Sequence, residues 1–113
     1  MGVDAVLMRV EQQGTSPRRR SLTAVGTAVD RNDALVRLVD QTRGRSATPM
    51  LQRLDPYGSV IFSSAEMPQF LEELTRLEAL AETSEELRVI QAFEELAHEC
   101  AADPTLELHL DGD

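Results

Sequence analysis

The sequence predicts a small single-domain α+β protein: a mostly antiparallel sheet covered on one face by helices. Three observations carry this. The chain is 113 residues long, which accommodates one core and not two. Short β-branched runs stand at both ends of the chain and in its middle, while residues 66–102 follow a 3.6-residue apolar period over two segments. The hydrophobic fraction of 42% and charged fraction of 27% are those of an ordinary globular chain, not of a disordered one.

The elements follow in order. "VDAVLMRV", residues 3–10, is apolar on both alternating sets and predicts a central strand. The polar stretch 12–21 holds Gly14 and Pro17 and predicts a loop. "LTAVGTAV", 22–29, predicts a second strand with a bulge at Gly26, joined to the first as a hairpin. Asp30 or Asn32 is placed to cap a helix over 33–42, with Leu35, Leu38 and Val39 inward. "MLQRL", 50–54, and "SVIFS", 59–63, flank Asp55-Pro56-Tyr57-Gly58, whose residues suit a type I turn, so a hairpin of two strands is expected there. Tyr57 is expected to pack its ring and hydrogen-bond its hydroxyl.

Two helices are the strongest expectation, over 66–82 and 84–102. Ser63-x-x-Glu66 and Thr83-x-x-Glu86 have the form of capping boxes. Met67, Phe70, Leu71, Leu74, Leu77 and Ala81 then line one inward face, and Leu87, Ile90, Phe93, Leu96, Ala97 and Cys100 the other. So short a break between them makes a helical hairpin. "TLELHL", 105–110, alternates and predicts the closing strand.

Charge is distributed unevenly. Residues 1–56 hold nine arginines against six acids, a balance of +3, and residues 57–113 two arginines against fourteen acids, a balance of −12. All eleven positive side chains are arginine, the mark of a GC-rich genome rather than of a mechanism. An acidic half repels nucleic acid and anionic lipid and favours a basic protein. Glu72, Glu73, Glu78, Glu94, Glu95 and Glu99 are assigned to the outward side of the hairpin and are the candidate partner-binding residues. Neither nucleic acid nor membrane is expected as a partner.

Other motifs carry less. Glu95-x-x-His98 is half of a two-metal helical site, which needs a second Glu-x-x-His and further inward glutamates; no metal or other cofactor is expected. Cys100, the lone cysteine, falls on the apolar stripe and reads as a core thiol, and a single thiol suits a reducing cytoplasm. Arg18-Arg19-Arg20 has no aromatic platform beside it and reads as a solvated loop or an interface rim. No apolar run reaches the ~18 residues of a membrane span, and the start has no signal-peptide pattern.

The run "RLDPYGSVIFSSAEMPQFLEELTRLE" resembles a recurrent stretch in small uncharacterised actinobacterial proteins, over about residues 50 to 80. Their acidic character is similar to that of immunity proteins that neutralise toxins. The resemblance implies a non-catalytic binding protein and assigns no site residue. The alternative is a small-ligand protein or minor enzyme with Asp55, Tyr57 and His98 around a pocket.

Overall fold

A computed structural model describes residues 2–12, 20–44 and 47–112, without the side chains of Gln12 and Arg20. The chain runs β1 (Val3–Gln12), β2 (Arg20–Ala28), α1 (Ala34–Gln41), β3 (Ser59–Ser63), α2 (Met67–Glu78), α3 (Ser84–Ala102) and β4 (Leu106–Gly112). The strands form one antiparallel sheet in the order β2-β1-β4-β3. The α+β class and the central place of β1 are as the sequence predicts.

Alternation along the strands decides where the helices lie. Val3, Ala5 and Leu7 of β1, Leu106, Leu108 and Leu110 of β4, and Phe62 of β3 are buried beneath the helices. Val6, Met8 and Val10 point the other way and are half-buried, with Leu22 and Ile61 exposed on the same open side. The core closes with Leu35 and Leu38 of α1, Phe70, Leu74 and Leu77 of α2, and Ile90, Phe93 and Ala97 of α3. The Phe62 and Phe70 rings meet at 5.4 Å, and the Arg53 guanidinium lies over Phe62. Leu87, expected inward, is 38% exposed, and Val89 is buried in its place.

The expected strand at 50–54 is not formed. Residues Leu51–Arg53 make a 3-10 turn, and their backbone bonds are internal: Gln52 N–H to Thr48 O at 3.0 Å, Arg53 N–H to Met50 O at 3.0 Å and Leu54 N–H to Leu51 O at 3.1 Å. Met50, Leu51 and Leu54 are buried at helical rather than alternating spacing. So short an apolar run fits both periods, and tertiary contacts decided between them. Among the described residues β3 therefore pairs only with β4, with Phe62 opposite Leu108.

Asp55-Pro56-Tyr57-Gly58 is the turn that carries the chain from this segment into β3. Gly58 N–H donates to Asp55 O at 3.2 Å, and Tyr57 N–H to Asp55 Oδ1 at 2.8 Å. Gly112 N–H returns to Gly58 O at 2.6 Å, which ties the turn to the end of β4. A Cβ on Gly112 would collide with the Asp55 and Pro56 backbone, so only glycine lets the strand end come this close. The Tyr57 ring is 73% exposed, not packed as expected.

Both capping boxes are present. In the second, Glu86 N–H donates to Thr83 Oγ1 at 3.1 Å and Thr83 N–H to Glu86 Oε1 at 3.0 Å. α2 stops at Glu78 rather than 82, and residues 79–83 make the return to α3. Asp30 is the cap of α1: its buried carboxylate accepts from Leu35 N–H at 2.6 Å and from Val36 N–H at 3.3 Å. Reaching it bends the chain through left-handed Asn32 and Asp33, residue types that tolerate this backbone.

Candidate functional site

The six glutamates assigned to one outward face divide into three groups. Glu95 and Glu99 of α3 are exposed. Glu72 is also exposed, and its Oε1 lies 2.7 Å from Arg76 one helical turn on. These three are surface carboxylates.

Glu73 is not. Its side chain is 0% exposed. The carboxylate accepts from Met50 N–H at 2.9 Å, Leu51 N–H at 3.0 Å and Gln69 Nε2 at 2.9 Å. It caps the turn that replaces the expected strand, satisfying donors that would otherwise be buried without partners. Its place among candidate partner-binding residues is therefore withdrawn. The spacing contained this answer: 73 lies three residues after Phe70 and four before Leu77, in the middle of the buried stripe.

Glu78 and Glu94 are half-buried where α2 and α3 pack, and they meet one another. Burial, a hydrogen bond from the protonated Glu94 carboxyl to the Glu78 carboxylate and the Glu78 charge together raise the Glu94 pKa to about 7. A hydrogen bond between two carboxyl groups needs one of them protonated. Among the described residues no arginine pairs with either. Glu94 thus turns to Glu78 across the hairpin and not to His98 along its own helix.

The remaining candidates fall apart in space. Cys100 is buried, with Sγ 3.6 Å from Leu106 O, and burial pushes its thiol up to about 11, far from a reactive thiolate. His98 is exposed on α3, and His109 lies on the open side of the sheet, 2.9 Å from Glu107. No three metal-ligating side chains gather among the described residues. Arg18 and Arg19 lie outside the described residues, and Arg20 opens β2. No helix among the described residues is long and apolar enough to cross a membrane.

A second feature had no signal in the sequence. A cleft of about 530 Å³ opens between the end of β2 and α3, lined by Thr27, Ala28, Val29 and Arg31 from the one segment and by Glu85, Arg88, Val89 and Ala92 from the other. Tyr57 and Asp55, the centre of the alternative pocket, take no part in it. Glu85 is held by Asn32 Nδ2 at 3.0 Å. Arg31 and Arg88 are exposed and have no ion-pair partner among the described residues.

Fold and surface define a small α+β protein with an acidic helical hairpin on one side of its sheet. Comparison with protein-family models, curated proteins and solved structures finds no match to this chain.

Proposed function

We propose that the chain is a non-catalytic, cytoplasmic protein-binding module that engages a basic surface of a partner protein. An immunity protein occupying the basic active site of a toxin works in this way. One observation carries the reading: Glu78 and Glu94 stand half-buried where α2 and α3 pack, and among the described residues no arginine pairs with either. A partner's arginine or lysine set there would stabilise both carboxylates in their charged form, and binding would release the shared proton.

The surroundings point the same way. Nine glutamates and two arginines lie between Met67 and Ala102, and of the glutamates only Glu73 is fully buried. Such a field accelerates encounter with a basic partner and disfavours acidic ones, so its kinetic signature is an association rate that falls with salt. The residues assigned to contact are Glu72, Glu78, Glu94, Glu95 and Glu99.

The test begins with a partner, first of all any toxin domain encoded beside this gene, or else one captured from the native host. Association rates are then measured for the wild type and for the triple variant Glu72→Lys/Glu95→Lys/Glu99→Lys at low and high salt. The expected result is a slower rate for the variant, with most of the difference lost at high salt. Rates that are equal for the two proteins and flat with salt would mean that the face is only solvated.

A further inference from the structure

We infer that the β2–α3 cleft takes up an extended segment of a partner protein, which adds as a strand to the free edge of β2 and sets an acidic side chain between Arg31 and Arg88. Three features support this, and none of them belongs to the acidic hairpin face.

The first is the sheet order. Among the described residues β2 pairs with β1 on one side only and ends the sheet. Every second residue of such a strand turns its N–H and C=O away from its neighbour, which makes the edge a template for another extended chain. Thr27, Ala28 and Val29 line the cleft consecutively. Successive strand side chains point to opposite faces, so Thr27 and Ala28, the last two residues of β2, border one cleft only where the strand meets it edge-on, and Val29 follows just past the strand's end. The cleft wall there is the C-terminal end of the strand's edge.

The second is what faces that edge. α3 presents Val89 and Ala92 to the cleft, a small apolar floor beside Ala28. At Gly26, outside the cleft lining, the strand packs so near the helix that an added Cβ would lie 2.9 Å from Leu96 Cδ2. An added strand would place alternate side chains on the floor and the others on the open side of the sheet, beside the exposed Leu22. Main-chain hydrogen bonds would supply affinity and the alternate side chains selectivity.

The third is charge. In a chain of net charge −9, Arg31 and Arg88 border this cleft and have no ion-pair partner among the described residues. Glu85 also lines the cleft, its carboxylate held by the neutral Asn32 amide, so two guanidinium groups face one carboxylate there. Guanidinium groups bind carboxylates through paired donors, so the complementary occupant is an acidic peptide. A second copy of this chain is disfavoured by its own net charge.

The experiment is a selection on the whole protein from a display library of short random peptides, flanked on both sides by Gly-Ser linkers so that no free carboxyl terminus is offered. Enriched peptides should carry an Asp or Glu next to small or β-branched residues. Synthetic versions, acetylated and amidated, should bind Arg31→Gln/Arg88→Gln about tenfold more weakly or worse. Methylation of alternate peptide nitrogens should abolish binding, and bound peptide should slow amide exchange within Thr23–Ala28. Glu72→Lys/Glu95→Lys/Glu99→Lys should bind these peptides as the wild type does, which separates this site from the acidic face. The inference is overturned by a selection that enriches nothing, by peptides that bind the arginine-free variant equally well, by exchange protection elsewhere, or by sedimentation that finds a second copy on the edge.

Discussion

At the scale of single residues, two glutamates of α2 that are adjacent in sequence have opposite duties. Glu72 reaches Arg76 at the surface, and Glu73 lies in the core with its oxygens on the Met50 and Leu51 amides. Glu73→Ala would leave those amides buried without acceptors, at about 1–3 kcal/mol for each unsatisfied group. Glu95→Lys changes an exposed side chain and should move stability by no more than about 0.5 kcal/mol. Urea denaturation of both variants checks this, and similar midpoints would show that Glu73 is not the anchor described. Glu94 makes a pH prediction. Its carboxyl group holds a proton up to about pH 7 when folded, against 4.5 ordinarily. Between those values the folded chain binds more protons than the unfolded one, so this group's contribution favours the fold in acid and is lost as pH rises towards 7. Glu94→Gln should therefore flatten the pH dependence of Tm between pH 5 and 7.5 and raise Tm at the upper end. Parallel Tm curves for the two proteins would exclude the shared proton.

At the scale of elements, the helical hairpin rests on its caps. Thr83 and Glu86 satisfy each other's backbone N–H at the start of α3, and Glu82 N–H also donates to Glu86 Oε1 at 2.8 Å. Those bonds, the one from Glu82 foremost, hold the Glu86 carboxyl below its usual pKa. Thr83→Ala should cost about 1 kcal/mol and Thr83→Ser much less, since serine keeps the accepting oxygen. Equal losses from the two in thermal melts would mean that the methyl group, not the cap, is what matters. The caps and the apolar period were legible because both are local. α2, however, ends four residues before the pattern suggests, because the chain must turn back to bring α3 against the sheet. The 50–54 segment misled for a related reason: five residues contain too little periodicity to separate strand from turn, and a carboxylate from a distant helix chose the turn.

At the scale of the whole molecule, the uneven charge and the layered fold describe one object. The acidic hairpin covers one side of the sheet, and the other side carries Val6, Met8 and Val10 half-exposed beside Leu22 and Ile61. The sequence by itself determined the α+β class, the central first strand, the acidic helical hairpin and both capping boxes, since each rests on composition or on contacts within a few residues. Tertiary structure alone decided which carboxylates are surface and which are structural. It put Glu73 under the 50–54 turn and Glu94 against Glu78, and it left Tyr57 in solvent. It also opened the β2–α3 cleft, which joins residues 27–31 to residues 85–92. Burial and proximity between segments far apart in the chain depend on how the layers pack, and no local pattern encodes that.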